Sequence, residues 1–264
     1  MAKKCFGVVF IMYEKTGPRL PKISKISTLV EPLNFVTVVY AAELPLVELQ
    51  ARSFAACFDP ECIDKIHVII NDPEPLMVAT RFISEILPRY GPCSGKVKIW
   101  QGDDLVGTPG SKNWSQCVKL GWFRQQILKL KIAQEINTNL YVALDAKNHF
   151  FRPATRSSFL SSSGKPLSWR MTTNGPLRGY FEDCLKTFGL NIKEMGEPMM
   201  PSVTPYVFWT RVVRDLIDDL ESRTGMTFTR FFLEGRKNLS EFHLYYAFFR
   251  SKHMCPSQIY DFGP

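Results

Sequence analysis

Along the first half of the chain, continuous apolar runs alternate with segments whose apolar positions recur every three or four residues. Residues 34–40 (NFVTVVY) form a β-branched and aromatic run between Pro32 and Pro45, the pattern of a buried strand. Residues 46–58 carry helical spacing and stop at Asp59-Pro60. A second strand is predicted over 65–70, closed by Asn71-Asp72-Pro73, and a helix over 75–87 with Pro88 just past its end. Residues 96–100 alternate as a third strand, 102–116 read as a Gly- and Pro-containing loop, 120–136 as a strong helix and 140–144 as a fourth strand. This alternation predicts βαβ units. The fold class is α/β, with a Rossmann-like, mostly parallel sheet flanked by helices.

The second half is less regular. Serine-rich turns occupy 157–164, and 167–170 reads as a short strand. Helices are predicted over 176–188, 208–222 and 240–249, with a two-proline loop over 199–205. No repeat or low-complexity tract breaks the chain. The organisation is therefore one domain over 31–264, with a nucleotide-binding half to about residue 150 and a second half covering its mouth, preceded by an extension over 1–30.

Composition narrows this picture. With 264 residues and 45% hydrophobic content, the chain is long and apolar enough to bury a large core without disulfides, and disorder is excluded. The net charge of +8 is uneven: residues 1–30 hold six basic side chains and one acid, which leaves +3 for residues 31–264. A nucleic-acid partner is therefore not expected. The basic extension instead suits peripheral contact with an anionic membrane. Seven cysteines without a Cys-x-x-Cys pair point to thiols in a reducing cytoplasm rather than to a secreted framework. The apolar run at 5–13 is short and followed by Glu14-Lys15, unlike a signal peptide, and no stretch reaches 18 apolar residues.

In open parallel sheets the ligand sits beyond the carboxyl ends of the strands. The residues to search are therefore 41–43, 71–72, 101–104 and 145–148. Asp145 ends a buried strand, where an acid is costly without a partner. It either caps the next turn or meets the phosphates or sugar of a nucleotide, directly or through a metal. The helix before it would start near the same edge. Spacings of three and four place Trp122, Gln125, Gln126 and Lys129 along one of its sides, and Arg124 and Lys129 are suitable donors to a diphosphate.

These residues carry a resemblance. Residues 121–129 (GWFRQQILK) followed by 139–153 (NLYVALDAKNHFFRP), with 201–205 (PSVTP) and 240–245 (SEFHLY) later, resemble a bacterial family of glycosyltransferase-like proteins with the GT-A fold. The resemblance covers roughly 33–250 and leaves out residues 1–30. It implies sugar transfer from a nucleotide-sugar donor to a hydroxyl of a surface glycan or a lipid-linked acceptor. Such enzymes usually carry Asp-x-Asp at this strand end, holding Mn²⁺ or Mg²⁺ on the donor diphosphate. Here the motif is Asp145-Ala146-Lys147, and a charged lysine has no lone pair for a metal.

Three readings stay open at this point. Lys147 neutralises the leaving phosphate with Arg124 and Lys129 in a metal-independent enzyme. Alternatively, Asp145 holds a metal, alone or with Asp103 or Asp104, and Lys147 points away. In the third the chain is a degenerate copy. By the same resemblance Tyr40 and Ala41 face the base and ribose, and Asp72 either accepts from them or serves its own turn. Glu241 is either a first-turn acid or the general base. Trp169, Asn174, Thr204 and His243 are placed on the acceptor side. A non-catalytic protein that binds anionic surfaces or nucleic acid through its basic extension is the competing function.

Overall fold

The computed structural model describes residues 31–106, 118–171, 177–195, 200–234 and 238–263. The basic extension, residues 107–116 of the predicted loop and Asn174 lie outside them. Strand β1 (Leu33–Val39) leads into α1 (Leu44–Cys57), β2 (Ile63–Ile70), α2 (Pro75–Arg81) and β3 (Val97–Gln101). Next come the short α3 (Gly102–Val106), α4 (Val118–Lys131), β4 (Leu140–Leu144) and β5 (Leu167–Ser168). Helices α5 (Arg178–Thr187) and α6 (Ile192–Met195) precede β6 (Tyr206–Trp209) and α7 (Thr210–Thr224). The chain closes with α8 (Phe228–Glu234), α9 (Glu241–Ser251), α10 (Pro256–Ile259) and β7 (Asp261–Phe262).

The main sheet has the order β3-β2-β1-β4-β6, and β5 pairs with β7 in a separate ribbon. Strands β1 to β4 are parallel and β6 runs against β4. The expected α/β architecture with a mostly parallel sheet is thus present. Every residue of β1 and β4 is buried, which is why they read as unbroken apolar runs rather than alternating ones.

Alternation across β1 sets the two faces. Phe35 packs edge-on against Phe54 of α1 at 5.1 Å, and Thr37 donates to Gln50 on the same helix. On the other face, Tyr141 of β4 stacks on Phe208 of β6 at 5.2 Å, and Phe208 stacks on Phe242 of α9 at 5.9 Å. Tyr245 and Tyr260 close this layer, with hydroxyls 3.0 Å apart and the Tyr260 hydroxyl donating to the Val207 carbonyl. The two aromatic layers clamp the sheet.

Residues 102–106, expected to be loop, form the short helix α3. Residues 208 and 209, read as the start of a helix, belong to β6, and the helix begins at Thr210. Trp209 is the last strand residue and also the cap of α7, so no turn separates the two elements. A strand that passes directly into a helix leaves no polar break to mark it.

The interior fixes two neutral histidines. His67 lies between Asn34, whose Oδ1 accepts from Nε2 at 2.9 Å, and Trp100, whose indole N–H donates to Nδ1 at 3.0 Å. Burial, with Lys98 adding, holds its pKa down at about 4. Burial does the same to His243, also to about 4. A base with a depressed folded-state pKa costs nothing above its unfolded value of 6.5 and destabilises progressively as pH falls toward 4. Each histidine should cost about 2 kcal/mol at pH 5 and roughly 3 kcal/mol below pH 4. Urea midpoints at pH 7 and pH 5 check this. The gap should narrow in His67→Gln, and an unchanged gap would remove His67 from the account.

Candidate functional site

Register brings four strand ends to one edge. Val39 pairs with Ile70 and Ile70 with Gln101, so Tyr40, Asn71 and Gly102 leave the sheet at one level. Thr37 pairs with Leu144, which sets Asp145 just below them, and the antiparallel β6 brings Thr204 and Pro205 up to the same edge. Helix α4 is tied there as well, because the Asn71 side chain donates to the Gly121 carbonyl at 3.2 Å.

The turn after β4 is held from several sides. Asn148 Oδ1 accepts from the Asp145 amide at 2.7 Å, and the Asn148 amide donates to the Asp145 carbonyl at 2.9 Å. Gln50, fully buried, donates to the carbonyls of Asp145 at 2.9 Å and Asn148 at 3.1 Å while accepting from Thr37. The Asn148 side-chain Nδ2 donates to the Thr204 carbonyl at 3.5 Å. This network presents the Asp145 carboxylate in a fixed place. Nothing in the spacing of residues 46–58 singles out Gln50, beyond a polar residue on an otherwise apolar helical face.

Asp145 is the centre of a charge cluster. Its Oδ1 accepts from Lys129 Nζ at 2.7 Å, and its Oδ2 lies 3.6 Å from Lys147 Nζ. The same Lys129 ammonium reaches Glu241 Oε1 at 3.3 Å and lies 5.5 Å from the centroid of the Phe242 ring. Lys129 and Glu241 are almost wholly buried, Asp145 is a quarter exposed and Lys147 about three-quarters exposed. Burial opposes the charge on Asp145, but Lys129, Thr204 and Lys147 outweigh it and hold its carboxyl below the usual range. Burial dominates at Glu241, and its pKa is raised despite Lys129. Lys129 stays charged because the two carboxylates outweigh its own burial.

The other expected residues fall into three groups. Tyr40 is half exposed at the edge, and Thr204 borders Asp145. Asp72 accepts from the amides of Ala41 and Glu74 at 2.8 and 2.9 Å, so both its oxygens serve the local turn. Arg124 pairs with Asp103 of α3 rather than opening toward Asp145, and Gln125 is half-buried on α4.

Gln126 is buried, unlike a donor-facing residue. Its Oε1 accepts from the Glu241 amide at 3.1 Å and caps α9, and its Nε2 reaches the Trp122 carbonyl at 3.4 Å. Lys129 likewise faces the core, one helical turn from Gln126, so a diphosphate meets it only by way of Asp145. Glu241 sits behind Lys129, away from solvent. His243 is two residues further along α9, on its other side, where its ring meets Phe181 edge-on at 5.4 Å. Trp169 is half exposed beside the β5–β7 ribbon. Glu43 lies inside the strand end 41–43, where the sequence assigns it no role: it follows β1, and Asp145, Lys129 and Lys147 are the charges that act on it.

As placed, Asp145 offers a divalent ion no oxygen clear of an ammonium. Each oxygen of Asp145 already faces an ammonium, Asp103 is taken by Arg124, and Lys147 points toward Asp145. Among the described residues no group of three or more His, Cys, Asp or Glu side chains is placed to hold a metal. The arrangement instead offers an exposed ammonium beside a braced carboxylate, which suits a phosphate and a sugar hydroxyl.

Among solved structures, the chain is similar to the galactosyltransferase LgtC in complex with donor and acceptor sugar analogs. The two are 12% identical over 82% of this chain and 70% of that one, with a TM-score of 0.47. TarS of S. aureus is 6% identical over 70% of this chain and 30% of its own, with a TM-score of 0.35. Likenesses of that size assign no residue a role. No curated protein matches the chain. Residues 23–260 match the profile of a family of unknown function, DUF6492, and the chain therefore belongs to that family.

Proposed function

We propose that the chain is a GT-A-type glycosyltransferase that moves a sugar from a nucleotide-sugar donor to a hydroxyl of a surface glycan or lipid-linked acceptor. The observation that carries this reading is the Asp145–Lys147 pair at the carboxyl edge of a parallel sheet, braced by Gln50, Asn148 and Thr204. In this reading the donor diphosphate lies against Lys147, which leaves Asp145 and neutralises the charge that develops on the departing phosphate. Asp145, anchored by Lys129, then accepts hydrogen bonds from hydroxyls of the transferred sugar. Tyr40, at the end of β1, stacks on the base or packs against the ribose. No divalent ion is required for these steps.

Ligand-induced stabilisation tests the reading, because a ligand held only by the folded state raises the melting temperature. Uridine, guanosine, thymidine and cytidine mono- and diphosphates are offered to the full chain, with Mn²⁺ and with EDTA. At least one nucleoside diphosphate should raise the midpoint by several degrees in EDTA. A flat response to every nucleotide in both conditions overturns the proposal.

A further inference from the structure

Three carboxylates neighbour the Lys129 ammonium or sense its charge, and they differ in what they can still do. Both oxygens of Asp145 face an ammonium. Glu241 is tucked behind Lys129 and almost wholly out of solvent. Glu43, in the turn between β1 and α1, is partly accessible, and its Oε2 is buried without a hydrogen-bond partner among the described residues. Glu43 thus combines an unpartnered oxygen with partial exposure of its side chain at the strand edge, within the reach of the Asp145 and Lys147 charges, where an incoming hydroxyl can meet its carboxylate.

We propose that Glu43 is the catalytic residue that takes the proton of the attacking hydroxyl. This rests on the glycosyltransferase reading and adds to it the identity of the base. In the step, the acceptor oxygen bonds to the anomeric carbon of the donor sugar as the bond from that carbon to the phosphate oxygen breaks. The electron pair of the broken bond leaves on the diphosphate beside Lys147, and the hydroxyl proton passes to the Glu43 carboxylate and then to water. A single displacement of this kind inverts the anomeric configuration.

The surroundings make Glu43 a stronger base than an ordinary carboxylate. Burial and the adjacent Asp145 raise the pKa of Glu43, while a backbone hydrogen bond from Tyr40 and the ammoniums of Lys129 and Lys147 pull it back. Asp145, held low, is a poor proton acceptor by comparison.

The test uses the full chain, a panel of UDP-, GDP- and dTDP-hexoses, and water as acceptor, with nucleoside diphosphate release as readout. Glu43→Gln should lower turnover by about 10²–10⁴-fold, with the donor KM within about twofold of the parent. It should also fold normally, because the amide removes a like charge beside Asp145. Glu43→Asp should recover part of the rate, and the acidic limb of its pH profile should move. Turnover of Glu43→Gln within about threefold of the parent overturns the assignment. So does a loss confined to the donor KM, which would make Glu43 a nucleotide-binding group. If the parent releases nothing from any donor and no nucleotide shifts its melting, the glycosyltransferase reading falls and Glu43 with it. A nucleotide shift without any release overturns the proton role alone.

Discussion

Replacing Lys129 by methionine is expected to lower stability by about 3–5 kcal/mol at pH 8. Methionine fills nearly the same volume and keeps the contact with Phe242, so the loss is electrostatic. Glu241 would be left buried without its cation, and Asp145 would keep only the exposed Lys147. The folded state would then draw a proton onto Glu241, whose pKa burial already raises. The penalty should therefore shrink as pH falls toward 5, because an acid with a raised folded-state pKa destabilises most above that value. Adding Glu241→Gln should restore at least half of the loss, since no buried charge then lacks a partner. Urea unfolding of the two variants measures both. A single-variant loss below about 1 kcal/mol would mean that the lysine carries little of the site's architecture.

Asp145→Asn is expected to abolish donor hydrolysis, with turnover down by about 10³-fold or more, while the fold survives. Asparagine keeps the shape and can still meet Thr204, but its amide cannot hold two ammoniums. Lys147 would lose its resting partner, and Lys129 would retain only Glu241. The loss should appear in turnover more than in nucleotide affinity, because the diphosphate contact belongs to Lys147. Retained hydrolysis would remove Asp145 from the site.

The sequence made some of this architecture plain for definite reasons. Strands β1 and β4 and most of β2 are buried, so each stands out as an apolar run ended by a turn, whereas the half-exposed edge strand β3 shows only as an alternation. Asp145 was legible because an acid at the end of such a run demands an explanation. Strand β6 was not, because Trp209 both ends it and caps α7, and aromatic residues suit the first turn of a helix as well as a strand. The helical period grouped Gln126 with Lys129 correctly. It could not say whether that side faces a ligand or α9, and the structure places α9 there. Glu241 is likewise a first-turn acid, joined to Lys129 across more than a hundred residues of chain, a distance that no local pattern encodes. Gln50 and Glu43 owe their importance to the Asp145 turn and carry no motif of their own.

The central claim is that Lys147, rather than a divalent ion, meets the donor diphosphate beside Asp145. Nucleoside diphosphate release from the hexose donors, followed in parallel with excess EDTA and with Mn²⁺, tests it most directly. The account predicts release at similar rates in both conditions and its loss in Asp145→Asn. Release that appears only with Mn²⁺, or that survives in Asp145→Asn, would contradict it.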